Sequence, residues 1–262
     1  VQLEKFLHGA QLKSYEFNVY KTDKSKNITT NLYVVGHKSK KTNLLRNKLN
    51  SLLEGVFLTR DLVSEPGNVL HPDEYARRIV KLRKFGLKVT VYDQKKLKKM
   101  GMNALLGVGQ GSVRGSYLVT IEWKGSKSKS KPLGFVGKGV CFDSGGLDLK
   151  PSDNMLLMKK DMGGAAHVLA LAKAVMQLNL NIRLRVLIPA VENSVSGSSF
   201  RPGDVIKTRS GKTVEVGNTD AEGRLILCDA LTEACEESPE LLIDVATLTG
   251  AARVALGTEI AA

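Results

Sequence analysis

Short runs of β-favouring residues alternate with helical stretches along most of the chain, and this alternation constrains the fold more than any other feature. Helical spacing covers residues 162–178 and 224–237. The predicted strands are LKVTVYD (87–93), SYLVTIEW (116–123), LGFVG (133–137), IRLRVLIPAVE (182–192) and LLIDVAT (241–247). Strands that alternate with helices predict an α/β domain, in which helices flank a mixed, largely parallel sheet.

The sequence predicts three parts along the chain. Residues 15–20 and 27–35 have the composition of strands, which predicts a remnant of a small α/β amino-terminal domain over 1–41. Leucines then recur at helical spacing until a proline, which predicts a connecting helix over 42–66. The rest of the chain, 67–262, is predicted to form the principal domain.

Local signals refine this outline. A helix is predicted from Pro72, a residue favoured at the first helical position, to Gly86. The segment 205–217 predicts a hairpin that turns at Ser210-Gly211. The lysine- and serine-rich stretch 124–131 predicts a surface loop, with a flexible linker as the competing interpretation.

Composition limits the class of protein. The chain is 42% hydrophobic and contains no run of about 18 apolar residues, and its start lacks the pattern of a signal peptide. We therefore expect a soluble cytoplasmic protein without a membrane partner. Cys141, Cys228 and Cys235 show no paired spacing, so we expect buried thiols rather than disulfides or a thiolate zinc site. The histidines show no ligand spacing, and His167 is predicted to be a packing residue.

The net charge of +13 is unevenly distributed. Residues 1–131 carry 26 basic and 10 acidic side chains, a net charge of +16, whereas residues 132–262 carry a net charge of −3. The excess is mostly lysine without interleaved aromatic residues or a groove-reading motif, which favours a solvated surface. A basic regulator that binds nucleic acid, with or without an enzymatic activity, is kept as the alternative function.

Charged side chains are concentrated in two glycine-rich segments, 134–168 and 216–230, each of which follows a predicted strand. Ligands of open α/β sheets bind in crevices outside the carboxyl ends of strands, so we expect the two segments to converge. The charged candidates are Lys138, Asp143, Lys150 and Asp161 in the first segment and Asp220, Glu222 and Arg224 in the second.

Four converging carboxylates would repel one another unless cations compensate them. Two divalent ions would balance the charge, and a hydroxide held between them is a nucleophile at neutral pH. Lys150 and Arg224 would supply positive charge for an oxyanion that develops on an attacked carbonyl. The residues alone therefore predict metal-assisted hydrolysis.

Two stretches carry a resemblance to a known family. VGKGVCFDSGGLDLKPSDNMLLMKKDMGGAA and NTDAEGRL closely resemble the signature segments of the cytosolic leucine aminopeptidase family, and the likeness extends from about Leu52 to the end. It implies a leucyl aminopeptidase, a hydrolase that removes leucine-like or other apolar residues from the amino end of short peptides. Residues 67–262 would be its metallopeptidase catalytic domain. Family members generally continue for roughly another hundred residues, so we expect this domain to be incomplete at its carboxyl end.

The resemblance also implies the metal ligands. Lys138, through its amine, and Asp161 would bind one ion, Asp220 would bind the other, and Asp143 and Glu222 would bridge both. An amine ligand has to be unprotonated, which a buried lysine beside dications can be. Manganese and zinc are the expected metals, with magnesium as a third candidate.

Further roles follow from the same resemblance. Lys150 would polarise the scissile carbonyl. Arg224, helped by backbone groups of Ala221, Gly223 and Leu248, would hold a bicarbonate ion that acts as general base.

The resemblance also concerns the substrate and the assembly. Met158, Thr247 and Gly250 match positions that line the pocket for the first side chain of the substrate. Asp148 and Asp153 match no role and are predicted to be solvated loop residues. The resemblance implies that the protein forms a homo-oligomer, namely a hexamer. It also implies that the partners of the protein are peptide substrates.

Overall fold

The computed structural model of the chain describes residues 2–23, 31–33, 35, 39–125 and 130–259. The helices are α1 (Gln2–Lys13), α2 (Lys40–Ser64), α3 (Pro72–Val80), α4 (Gln94–Lys99), α5 (Asn103–Gly109), α6 (Ser152–Met155), α7 (Gly163–Gln177), α8 (Glu222–Cys235) and α9 (Ala251–Leu256). The strands are β1 (Lys88–Tyr92), β2 (Tyr117–Lys124), β3 (Leu133–Gly137), β4 (Gly139–Asp143), β5 (Arg183–Asn193), β6 (Val205–Lys207), β7 (Thr213–Glu215) and β8 (Leu241–Val245). Short 3₁₀ helices cover Lys81–Phe85, Met158–Lys160 and Thr219–Ala221.

The principal sheet is mixed, as the sequence predicts. Its strands run in the order β1-β2-β5-β3-β8, and β4 also pairs with β5. The pairs β1–β2 and β2–β5 are antiparallel, whereas the pairs β3–β5, β4–β5 and β3–β8 are parallel. β3 and β4 lie one after the other along β5, so the chain passes from one to the other at a single residue, Lys138.

Helices cover both faces of this sheet. α2, α3 and α7 form an apolar core with one face, and α5 and α8 form a second core with the other. Side chains of β5 alternate between the two cores: Val186 and Ile188 belong to the first, and Leu187 and Val191 to the second. A strand that is buried on both faces is encoded by a nearly continuous apolar run, which explains the sequence of β5.

The predicted elements of the principal domain are confirmed. For most of them, the observed ends lie within one to three residues of the predicted ends. His71 accepts a hydrogen bond from the backbone of Glu74 and caps the start of α3. The 3₁₀ helix that continues α3 ends at Gly86, whose φ is +98°. The hairpin of β6 and β7 turns at Gly211, whose φ is +85°. β4 lies in a segment that the sequence suggested was a loop, because its glycines and charged residues are typical of loops.

The amino-terminal part differs from the prediction. Residues 15–20 form irregular coil and a turn rather than a strand, and α1 precedes them. The Tyr15 ring packs against Phe57 of α2, with 5.1 Å between ring centroids, and its hydroxyl donates a hydrogen bond to Asp61. The aromatic residues thus pack on a helix instead of pairing in a sheet. Of the predicted strand 27–35, residues 27–30 and 34 lie outside the described part of the chain, and the others form no regular structure.

α2 confirms the helix predicted over 42–66, while the division of the chain into domains remains a prediction. In the loop predicted over 124–131, residues 126–129 are outside the described part. No helix in the described ranges has both the length and the apolar character required to cross a membrane.

The cysteines are unpaired, and their burial differs. Cys141 is buried as expected, Cys228 is half-buried, and Cys235 is exposed, so the prediction that the last is a core residue is wrong. It lies at the carboxyl end of α8, where the helix leaves the core.

α7 starts against the sheet with no space between them. A Cβ atom added at Gly164 would lie 1.9 Å from the carbonyl oxygen of Val245 and 3.0 Å from the backbone nitrogen of Lys138. Only glycine therefore lets the first turn of α7 reach the ends of β3 and β8.

Replacing Gly164 by alanine should destabilise the fold. Overpacking against backbone costs about 1–3 kcal/mol, so we expect the free energy of unfolding in urea to fall by that amount. Gly197→Ala is the matched control, because an added Cβ there has nothing within 4 Å. Equal stability of the two variants would contradict the close packing.

Candidate metal centre

Lys138 is fixed by its backbone at the junction of β3 and β4. Its N–H donates to the carbonyl oxygen of Val245 at the end of β8, and its own carbonyl accepts from the N–H of Ala165 in α7, both at 2.9 Å. The side chain is buried and runs past Gly223, where an added Cβ would lie 2.6 Å from the lysine Cε. The absence of a side chain at Gly223 thus leaves the space through which the Lys138 side chain extends into the interior.

Asp143 and Asp161 reach the same region from two sides. Asp143 ends β4 after a register shift between Val140 and Asp143, an irregularity that redirects the side chain. Its Oδ1 accepts a hydrogen bond of 2.9 Å from the N–H of Gly145. Asp161 follows the 3₁₀ helix Met158–Lys160, and its Oδ1 accepts from the hydroxyl of Thr247 at 2.8 Å.

Asp220 and Glu222 are placed by the start of α8. Asn218 caps the preceding 3₁₀ helix, where its Oδ1 accepts a 2.7 Å hydrogen bond from the N–H of Asp220. α8 then begins at Glu222, whose side chain is buried. NTDAEG is therefore a compact helix start that directs two carboxylates at the sheet.

A buried amine, of Lys138, and a half-buried amine, of Lys150, pair with the four carboxylates. The Nζ of Lys138 lies 2.7 Å from Oδ2 of Asp161 and 2.8 Å from Oε1 of Glu222. The Nζ of Lys150 lies 2.9 Å from Oδ2 of Asp143 and also contacts Oδ1 of Asp220. The six residues that the sequence brought together thus form one connected cluster.

Protonation in this cluster is shifted by burial and by charge. Burial raises the pKa of Glu222 to about 8 and raises the pKa of Asp161 above its usual value, in both cases against the pull of Lys138. Burial alone would lower the pKa of the Lys138 amine, but the carboxylates of Glu222 and Asp161 outweigh it and raise that pKa. Four carboxylates face only two ammonium groups. Without further cations, this excess of negative charge favours protonation within the cluster.

The donor set fits divalent cations. One oxygen from each of Asp143, Asp220 and Glu222 lies within 4.8 Å of the others. Oε2 of Glu222 is buried and has no hydrogen-bond partner among the described residues. A buried carboxylate oxygen without a partner is costly, and a cation beside it would satisfy it. Oxygen and amine ligands suit manganese, magnesium or zinc.

The residues expected to bind bicarbonate lie beside the cluster. Arg224 is exposed in the first turn of α8 and has no hydrogen bond or ion pair within the described ranges. Ala221 and Gly223 flank Glu222 in the chain, and Leu248 is 42% exposed. A free guanidinium at a helix N-terminus can hold a planar anion.

The three residues expected to line a substrate pocket lie in two separate segments of the chain. Met158 is half-buried at the start of its 3₁₀ helix, and Thr247 and Gly250 are exposed after β8. Thr247 contacts the centre directly through its hydroxyl on Asp161 and through its carbonyl oxygen, which accepts from the Lys138 amine at 3.1 Å.

Two functional features were missed by the sequence analysis. Asp148 is not merely a solvated loop residue: its carboxylate accepts from the N–H and the hydroxyl of Thr219, and its own N–H donates back to that hydroxyl at 2.8 Å. This clamp joins the two metal-site segments. Asn193, a buried polar residue at the end of an apolar strand, donates a hydrogen bond to Asp143, and that unusual position was the available signal.

The sequence also made predictions for Asp153 and His167, and their outcomes differ. Asp153 is exposed, as expected. His167 lies on α7 outside the cluster, but it is exposed rather than packed, and its Nδ1 faces the carbonyl oxygen of Gly163 at 2.6 Å.

The fold and this site define an α/β protein with a candidate metal centre at the carboxyl ends of its parallel strands. Residues 57–262 match the cytosol aminopeptidase family, catalytic domain. The chain belongs to the cytosol aminopeptidase family. The resemblance seen in the sequence is thereby confirmed.

Relatives and solved structures agree with this assignment. A probable cytosol aminopeptidase of Sinorhizobium fredii is 45% identical over 269 residues, which cover 98% of this chain and 53% of that protein. A cytosol aminopeptidase from Coxiella burnetii has a similar structure, with a TM-score of 0.85 at 44% identity over 97% of this chain and 53% of that chain. The bottromycin maturation enzyme BotP, in complex with Mn, gives a TM-score of 0.86 at 37% identity over 97% and 54%. The chain spans about half the length of the curated relatives it matches.

Proposed function

We propose that the whole protein is a metal-dependent aminopeptidase that hydrolyses the first peptide bond of short peptides whose first residue is leucine-like or otherwise apolar. The observation that carries this proposal is the largely buried cluster of four carboxylates and two amines, in which Oε2 of Glu222 has no hydrogen-bond partner among the described residues. Membership of the family supports it, as does the complex of BotP with Mn.

The chain supplies ligands for two divalent ions. In the proposal Asp161 and Lys138 hold one ion, Asp220 holds the other, and Asp143 and Glu222 contact both. When bound, such ions polarise a carbonyl and lower the pKa of a water molecule enough for it to attack at neutral pH. Manganese or zinc, with magnesium as a third candidate, fits these donors.

Lys138 has to change its protonation state to serve as a ligand. In the metal-free cluster its ammonium group pairs with Asp161 and Glu222, which raises its pKa. The Lys138 amine could hold a dication at the same place only after it had lost that proton, because a ligand amine needs its lone pair. The lysine thus exchanges one positive charge for another, and its carboxylate neighbours stay compensated.

Lys150 has a different role in the proposal. Its amine is held by Asp143 and Asp220 at the less buried side of the cluster, where its pKa is raised by these carboxylates against the effect of burial. It therefore stays protonated at neutral pH. A fixed ammonium group there can donate a hydrogen bond to the oxygen on which negative charge develops.

Arg224 is proposed to hold a bicarbonate ion together with backbone groups of Ala221, Gly223 and Leu248. Its exposed guanidinium lacks a protein partner among the described residues, so it can form two parallel hydrogen bonds with a planar anion. A bicarbonate ion there would supply a general base close to the attacking water.

The remaining predictions concern the substrate and the assembly. We propose that Met158, Thr247 and Gly250 line the pocket for the first side chain, and that the free α-amine binds at the metal centre. That requirement restricts cleavage to the amino end. A hexameric assembly and a cytoplasmic location are kept as predictions from the family resemblance.

The proposed function is tested by hydrolysis of a leucine chromogenic amide by the whole protein. We expect turnover after loading with Mn²⁺, loss of turnover after chelation, and its return on adding metal again. A blocked amino group on the substrate should abolish cleavage. Absence of turnover after metal loading, together with salt-sensitive retention of DNA, would instead support the nucleic-acid-binding alternative.

Lys138 and Lys150 should be distinguishable by metal content. Lys150→Ala should keep both ions while kcat falls by about 10²–10³-fold, as when one oxyanion donor is removed. Lys138→Ala should lose one ion. Atomic emission spectroscopy of both dialysed variants measures their metal content. Equal metal content in the two would contradict the assignment of Lys138 as a metal ligand and Lys150 as the oxyanion donor.

Replacement of Arg224 by lysine should not be conservative. The guanidinium matches a planar anion through two hydrogen bonds, whereas an ammonium group offers only a point charge. Wild-type activity should fall in carbonate-free buffer and recover with bicarbonate, and Arg224→Lys should bind metal normally yet respond much less. The same bicarbonate response in both proteins would leave Arg224 as an electrostatic stabiliser only.

A further inference from the structure

Asn193 lies at the point where the two segments of the metal centre approach each other. It is the last residue of β5, is 1% exposed, and has Asp143 as its Cα partner on β4. From Val140 to Asp143 the chain advances three residues while β5 advances two, from Val191 to Asn193. This bulge of one residue places Asp143 directly opposite Asn193.

The side-chain amide of Asn193 bridges both segments. Its Nδ2 donates to Oδ1 of Asp143 at 2.9 Å and to the carbonyl oxygen of Thr219 at 3.1 Å. Both of these atoms can only accept hydrogen bonds, so the NH₂ end of the amide has to face them. One side chain therefore connects the end of β4 to the segment that leads into α8.

These hydrogen bonds determine which oxygen of Asp143 faces the cluster. Oδ1 receives hydrogen bonds from Asn193 and from the N–H of Gly145, both at 2.9 Å. Oδ2 is left to face the Nζ of Lys150 at 2.9 Å. The orientation of the carboxylate is thus fixed by groups that are not part of the cluster.

The surroundings leave the amide little freedom. A Cβ added at Gly146, whose φ is +69°, would lie 2.9 Å from Oδ1 of Asn193 and 2.9 Å from Oγ1 of Thr219. The backbone carbonyl of Asn193 accepts two hydrogen bonds from Ser144, one from its N–H and one from its hydroxyl. Asn193 is therefore held in one position by both its backbone and its side chain.

We infer that Asn193 is a positioning residue of the metal centre. Its amide holds Asp143 and the residues before α8 at the separation at which Asp143, Asp220 and Glu222 share a cation. This inference rests on the proposed function, because it assigns Asn193 a role only through the ligands of that centre. Partners that orient metal ligands typically change metal affinity by 10–100-fold when they are lost.

The test is Mn²⁺ binding to the metal-stripped whole protein, measured by isothermal titration calorimetry. Asn193→Ala removes the amide, and Asn193→Leu removes it while keeping a side chain of similar size, which separates lost hydrogen bonds from lost packing. We expect the Kd for Mn²⁺ to rise by about 10–100-fold in both variants. The rise in Tm that Mn²⁺ produces should shrink accordingly.

Thr208→Val is the matched control. Thr208 is also buried, and its hydroxyl donates to the carbonyl oxygen of Lys212 at 2.9 Å within the β6–β7 hairpin, away from the cluster. A residue with a purely structural role should lower the Tm of the metal-free and the Mn²⁺-bound protein equally. The control should therefore leave the Kd for Mn²⁺ unchanged.

The outcomes separate this inference from the proposed function. A wild type that binds no divalent ion overturns the proposed function and this inference with it. A wild type that binds Mn²⁺, with both Asn193 variants folded and binding equally well, overturns the inference alone. If Asn193→Ala does not unfold cooperatively, Asn193→Leu provides the measurement. Failure of both variants to fold, with Thr208→Val folded, assigns Asn193 a structural role and also overturns the inference.

Discussion

The balance between four carboxylates, three of them buried, and two amines is the constraint around which the carboxyl edge of the sheet is organised. Lys138 and Lys150 each pair with two carboxylates, and every one of these groups has been removed wholly or partly from water. Buried charges are tolerated only where partners and hydrogen bonds are well placed. Glycines at 145, 164 and 223 accompany that requirement, since the first two let backbone approach, and the third lets the Lys138 side chain approach, closer than a Cβ would allow.

The same charge balance explains how the fold and the metal site depend on each other. Lys138 is held by backbone hydrogen bonds to β8 and α7, and Asp143 by its position opposite β5. The parallel strands thus provide the geometry, while the cluster keeps the strand ends and the start of α8 together. Burial raises the pKa of Glu222 to about 8, so protonation of this carboxylate is favoured while no cation is bound beside it.

Much of this arrangement could be predicted from the sequence. The features that depend on contacts between distant parts of the chain could not. Charge density in glycine-rich segments was sufficient to predict that Lys138, Asp143, Asp161 and Glu222 converge, because each segment follows a predicted strand and open α/β sheets bind ligands outside the carboxyl ends of strands. The aromatic segment 15–20 was wrongly predicted as a strand, since its rings pack on α2 and no sequence rule distinguishes the two uses. The role of Asp148 could not be read because its partner, Thr219, lies 71 residues away.

The separation along the chain of the residues that meet in the cluster has a consequence for how the site forms. The contact between Lys138 and Thr247 closes a loop of 109 residues, and that between Asp143 and Asn193 closes one of 50. Closing such loops is entropically unfavourable until the intervening strands and helices are in place. We therefore expect the candidate metal centre to form late in folding. A short peptide with the NTDAEGRL sequence would carry two of the proposed ligands without the geometry that brings them together.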